Sequence, residues 1–160
     1  MVFTRTKTDF VTRLQINNTP LEQVKVTKLL GTWISQDLSW DINTKEICKR
    51  AYSRLSLLTK LKYVGVKTED LLDIYILFIR SCTEYCAAVF HSRLTVDQSY
   101  KLERIQKVCL RIILGDMFVD YASALEMCCL TLLSERTEDR CLLEVRPTET
   151  LNKHYDKVKK

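Results

Sequence analysis

Lys45, Lys49, Tyr52 and Lys60 fall within roughly 80° of one another on a helix that turns 100° per residue. Lysines at this spacing reach successive phosphates, and a tyrosine among them packs on a sugar or a base. These four are candidate contacts to a nucleic-acid backbone, set against the plain alternative of a solvated helix face. A second basic stripe, Arg104, Lys107 and Arg111, repeats at helical spacing, with Asp97 and Glu103 close enough in sequence to pair with it. Charge is uneven along the 160 residues. Residues 1–62 carry 11 Lys and Arg against 5 Asp and Glu, whereas residues 63–160 carry 14 against 15. The net charge of +5 therefore belongs to the first two-fifths of the chain, which favours a polyanionic partner, nucleic acid before membrane.

Catalytic constellations are poor by comparison. No adjacent aspartate pair is present for two-metal phosphoryl transfer, and neither a GxSxG elbow nor an HExxH helix appears. The three glycines, Gly31, Gly65 and Gly115, stand alone, so no glycine-rich phosphate loop exists. His154-Tyr155-Asp156 has the HxD form of half an iron facial triad, but no histidine follows it and His91 precedes it. Seven cysteines without an export signal read as buried free thiols in a reducing compartment, with Cys48, Cys82, Cys86 and Cys109 on apolar helical faces. Adjacent Cys128 and Cys129 point to different sides of a helix and do not chelate together. No catalytic residue, cofactor or metal site is expected, nor a membrane span. The location implied is intracellular, cytoplasmic or nuclear.

The elements that would position these residues follow from periodicity. Strand-like runs cover Met1–Thr6, Phe10–Ile16 and Val24–Ser35, with Asn17-Asn18-Thr19-Pro20 turning between the last two. A period of 3.6 then takes over. Ser39 is the expected N-cap of a helix that runs to about Leu61, stops near Gly65 and gathers Ile47, Cys48, Ala51, Leu55 and Leu58 on one side. Thr68 is the expected cap of a second helix, whose face would bury Leu71, Leu72, Tyr75, Phe78, Ile79, Cys82, Cys86 and Val89. Thr95 with Gln98 has the form of a capping box, opening a third helix that buries Leu102, Ile105, Cys109 and Ile112 and ends at Gly115. Shorter helices follow over Asp120–Met127 and from Thr131. The fold class is α+β, mainly α: a short N-terminal β-meander and then a bundle of about five helices. The strands form too small a sheet to stand alone and leave an edge open to self-association.

Several passages together resemble the region downstream of the catalytic core in non-LTR (LINE-like, jockey-type) retrotransposon reverse transcriptases. Lys28-Leu29-Leu30-Gly31 with Leu38-Ser39-Trp40 is similar to that family's passage from the primer-grip hairpin into the thumb. Ile79-Arg80-Ser81, Glu84-Tyr85 and His91 resemble its next helix. Leu102-Glu103-Arg104-Ile105-Gln106-Lys107 and Leu110-Arg111-Ile112-Ile113-Leu114-Gly115 resemble the one after. Tyr121, Ala124-Leu125, Thr131-Leu132 and Arg136 continue the likeness, which covers about residues 1–143.

The resemblance implies residual palm and primer-grip strands over 1–36, a thumb-like helical bundle over 37–143 and a divergent charged tail over 144–160. The parent family is an RNA-directed DNA polymerase. The palm's paired aspartates would lie before residue 1, so this chain is expected to be inactive alone and to hold the backbone of an RNA or DNA duplex. In that arrangement Lys45, Lys49 and Lys60 touch phosphates while Arg104, Lys107 and Arg111 lie farther from the duplex. Two other readings stand beside it. One is a helical protein-interaction module. The other is the similarity of such segments to what is labelled the N-terminal domain of an AlkB-homologue protein, which would imply a 2-oxoglutarate oxygenase or a methyltransferase without any residue here to support either.

Overall fold

The computed structural model describes residues 15–145, with side chains as far as Arg140. Asparagine tolerates a left-handed backbone, and Asn17 (φ 48°) and Asn18 (φ 61°) adopt one. They form the two-residue turn between β1 (Gln15–Ile16) and β2 (Thr19–Pro20), where Ile16 faces Thr19. The single strand expected over Val24–Ser35 is instead a second hairpin, β3 (Val26–Leu29) and β4 (Thr32–Ser35). Its turn is Leu30 (φ 46°) and Gly31 (φ 88°), two successive positive φ values whose twist matches that of paired strands. The expected order, short N-terminal strands and then a mainly helical bundle, is present, and among the described residues the strands form two separate hairpins and not one meander. The run at Met1–Thr6, most of Phe10–Ile16 and His154-Tyr155-Asp156 lie outside the described residues.

The second hairpin is seated on the helices. Thr32 and Ser35 are buried, and the Trp33 N–H donates to Asn43 Oδ1 at 3.2 Å. Tyr85 donates its hydroxyl to the Leu30 carbonyl at 2.6 Å, with its ring so close to Gly31 that a Cβ there would stand 3.3 Å from it. Ser39 does not cap α1 (Asp41–Tyr63); Trp40 occupies that position and supplies no side-chain bond. The Ser39 N–H goes instead to Asp37 Oδ1 at 3.0 Å, and its carbonyl accepts from Ser35 Oγ at 2.6 Å. Burial of the Trp40 indole beside Phe90, 5.8 Å between ring centroids, fixes the entry to α1 where a polar cap was expected to do so. At its far end Gly65 (φ 88°) closes a Schellman turn, with the Val66 N–H on the Leu61 carbonyl and the Gly65 N–H on that of Lys62.

Thr68 begins α2 (Thr68–Ile74) without capping it; Lys67 holds the cap position. The helix then widens into a π-helical stretch, Tyr75–Arg80, and narrows again in α3 (Ser81–Glu84). Leu71, Tyr75 and Ile79 recur every four residues along this path, and all three are completely buried. A 3.6-residue helix would rotate each by about 40° from the last, whereas wider turns keep them in line. The buried face ends sooner than its spacing suggested. Phe78 is exposed beneath the Arg54 guanidinium, 4.3 Å from its centroid, and the chain breaks at Tyr85 and at Cys86 (φ 55°), leaving Cys86 half-buried and Val89 exposed. After α4 (Ala87–Phe90) and a 3-10 turn (His91–Arg93) comes α5 (Val96–Leu114). Here the capping box is present as expected: Thr95 Oγ1 accepts from the Gln98 N–H at 3.3 Å, and Gln98 Oε1 accepts from the Thr95 N–H at 2.9 Å. Next come α6 (Tyr121–Met127), capped by Asp120, and α7 (Leu133–Val145).

The long helices α1 and α5 run parallel. Gln98 Nε2 donates to Asp41 Oδ1 at 2.7 Å where both begin, and Lys62 Nζ donates to the Ile113 carbonyl at 2.8 Å where both end. Ile47, Ala51, Leu55 and Leu58 of α1 form the core with Leu102, Ile105, Cys109 and Ile113 of α5 and the Leu71–Ile79 row. Ile113, not Ile112, is the fully buried residue near the end of α5. No helix of the described residues is long and apolar enough to cross a membrane.

Candidate nucleic-acid interface

Parallel packing of α1 and α5 leaves a groove of about 430 Å³ along one side of the seam. From α1 its wall is Asp41, Thr44, Lys45, Cys48 and Tyr52, a stripe of i, i+3 and i+4 neighbours. From α5 the facing wall is Gln98, Lys101 and Arg104. Three cations and the Asp41 carboxylate thus share the groove lining with an exposed tyrosine. Lys101 pairs with Asp97 at 2.6 Å, and that carboxylate raises the lysine above its ordinary range, so it stays fully charged. Burial pushes the Cys48 thiol up, although nearby Lys101 opposes the shift. A thiol held protonated is a poor nucleophile, and Cys48 serves as apolar floor.

The seven residues expected to contact nucleic acid are all exposed, as a binding role requires. They do not form one surface. Lys45 and Tyr52 line the groove; Lys49 lies on the same helix outside its wall, and Lys60 stands about 22 Å along the axis from Lys45. Arg104, expected to lie apart from the helix-one residues, shares the groove with Lys45 and Tyr52. Lys107 and Arg111 turn the other way: the Lys107 ammonium sits 5.8 Å from the Tyr121 ring centroid and the Arg111 guanidinium 5.2 Å from that of Phe118. The carboxylates expected to neutralise this stripe are engaged elsewhere. Asp97 holds Lys101, while Glu103 accepts from the Tyr121 hydroxyl and from the Leu133 N–H at the start of α7. Among the described residues Lys45, Lys49, Lys60, Arg104, Lys107 and Arg111 enter no ion pair.

No family model, curated protein or solved structure matches the chain. The likeness to retrotransposon reverse transcriptases thus rests on the residues named for it. Among the described residues no group of three His, Cys, Asp or Glu side chains is placed to hold a metal ion. Lys101 is the groove residue that sequence reasoning passed over. Its signal was present, since it lies three residues from both Gln98 and Arg104 on one helix face.

Proposed function

We propose that the chain is a thumb-like segment of a reverse transcriptase that holds a nucleic-acid duplex by its backbone and has no polymerase activity of its own. The observation that carries the binding role is the α1–α5 groove, which Lys45, Lys101 and Arg104 line together with the exposed Tyr52. Such a groove offers phosphate contacts without base readout, so affinity is steeply salt-dependent and indifferent to sequence. The family assignment rests on the residues quoted for the resemblance, several of which touch in the fold. Tyr85 meets the Leu30-Gly31 turn, Arg136 meets Glu84, and Tyr121 meets both Glu103 and Gln106.

Binding of a fluorescent RNA–DNA hybrid, titrated across salt concentrations, tests the reading. Replacing Lys45, Lys101 and Arg104 with glutamine should flatten the log–log salt slope by about 2 to 3 units. The same change at Lys60, Lys107 and Arg111 removes equal charge from outside the groove and should leave most of the slope. Equal losses from the two variants would mean diffuse charge and no site. No binding by the parent chain would remove the proposal and leave the helical interaction module standing. With Mg²⁺, nucleotides and a primed template, the chain should extend nothing.

A further inference from the structure

A second cluster of cations lies apart from the α1–α5 groove, where the π-helical stretch and α3 meet α7. Its centre is Glu84, whose side chain is only 9% exposed. Glu84 Oε1 accepts from Arg80 Nε at 2.9 Å and from Arg136 Nε at 2.7 Å; Oε2 accepts from Arg140 Nη1 at 2.7 Å. Guanidinium groups stay charged at any pH at which the chain folds. Among the described residues three positive charges therefore share one carboxylate, an excess of two. Among the described residues these arginines have no other ion pair, and Arg80, 3% exposed, keeps its Nη2 buried without a hydrogen-bond partner.

A structural clamp does not need this composition. Arg80 and Glu84 neutralise each other, and Arg136 and Arg140, half-exposed, present two further cations to the space beside them. Space for an anion is present. A cavity of about 320 Å³ opens against the cluster, lined by Arg80, Ser81, Glu84, Tyr85, Arg136 and Arg140 among others, and it falls in the size range of small-molecule sites. The Ser81 hydroxyl donates to the Leu77 carbonyl, which leaves its oxygen free to accept.

We propose that this cavity binds a small phosphate monoester. A monoester carries about −1.5 to −2 at neutral pH and offers three acceptor oxygens, matching the excess of two charges and the planar donor forks of the arginines. A carboxylate or a phosphodiester brings one negative charge and leaves half of the excess unanswered. The site is independent of the duplex-binding groove, so either proposal can fail while the other stands.

Calorimetric titration with inorganic phosphate, methyl phosphate and dimethyl phosphate tests it, with sodium chloride at matched ionic strength as the blank. Phosphate and methyl phosphate should bind saturably, and dimethyl phosphate about tenfold more weakly or worse. Arg136→Gln and Arg140→Gln remove half-exposed side chains, and each should weaken phosphate by about tenfold or more. If either fails to fold, Arg140→Lys keeps the pairing charge while removing the fork, and should weaken binding in the same direction. The Lys45, Lys101 and Arg104 triple variant should bind phosphate as the parent does. Equal affinity for dimethyl phosphate, unchanged affinity in the arginine variants, or no saturable binding by inorganic phosphate would each overturn the proposal.

Discussion

At the end of α6 the chain turns through Cys129 at φ 52°, with its N–H on the Glu126 carbonyl at 3.1 Å and the Leu130 N–H on that of Leu125 at 2.9 Å. This is the Schellman turn that Gly65 makes for α1, built on a residue that has a Cβ. Cys129 is exposed, so Cys129→Gly loses no packing and should stabilise the fold by roughly 0.5–1 kcal/mol, read as a higher urea midpoint. An unchanged or lower midpoint would mean that the turn is not strained. Cys109 lies at the opposite extreme, completely buried, and burial pushes its thiol up to about 12. In the unfolded chain the same thiol ionises from about pH 8.5. Between these values the unfolded state has released a proton that the folded state still holds, so stability falls as pH rises, by at most about 1.4 kcal/mol per pH unit. The Tyr75 phenol, raised chiefly by burial, adds loss in the same direction at higher pH. Urea midpoints at pH 8 and pH 10 should fall less steeply for Cys109→Ala than for the parent, once the cavity cost common to both pH values is subtracted.

Among the elements, the β3–β4 hairpin shows how local chemistry misleads. Its turn demands positive φ twice, and the usual signal is Asn-Gly or Asp-Gly. Leu30-Gly31 hides the signal inside a branched, apolar run that reads as one strand. Leu30 is 82% exposed, so its side chain contributes almost nothing to offset its backbone. Leu30→Asn should stabilise the hairpin by roughly 0.5–1 kcal/mol while keeping the bond from Tyr85, which goes to the backbone. Slower amide exchange across Val26–Ser35 is the expected readout, and faster exchange would show that the leucine is held by a contact after all. The π-helical stretch misled in the other direction. A repeat of four at Leu71, Tyr75 and Ile79 was visible, but Phe78, Cys86 and Val89 sit at spacings that an unbroken helix would also bury; Phe78 lies exposed under Arg54, and the positive φ at Cys86 breaks the helix before Val89.

Across the whole molecule the parts are joined through Gln106, which is completely buried. Its Oε1 accepts from the Tyr75 hydroxyl at 2.6 Å, and its Nε2 donates to Tyr121 Oη at 3.0 Å and to the Thr131 carbonyl at 2.9 Å. One side chain therefore ties the π-helical stretch, α6 and the approach to α7 onto α5. Gln106→Leu fills the volume but strands the Tyr75 hydroxyl and the Thr131 carbonyl, at about 1–3 kcal/mol each. A loss of roughly 2–6 kcal/mol is expected in a single cooperative calorimetric transition. A loss below about 1 kcal/mol would mean that the two stranded groups find water instead.

The Thr95–Gln98 capping box, the helix end at Gly65 and the basic face of α1 were determined by the sequence alone, because each depends on residues within four or five positions of one another; the caps expected at Ser39 and Thr68 were not, since Trp40 and Lys67 hold those positions. Thr95 with Gln98, Gly65 after Leu61, and Lys45, Lys49 and Tyr52 on one face all belong to this class. So does Arg80 four residues before Glu84. Only the tertiary structure decided that α1 and α5 run parallel, and hence that Arg104 faces Lys45 while Lys107 and Arg111 do not. It alone brought Arg136 and Arg140, 52 and 56 residues away, onto the same Glu84 carboxylate. The physical reason is the path between the long helices. The widened turns and the helix break at Tyr85–Cys86 lie on that path, and how the core packs across it depends on residues far apart in the chain.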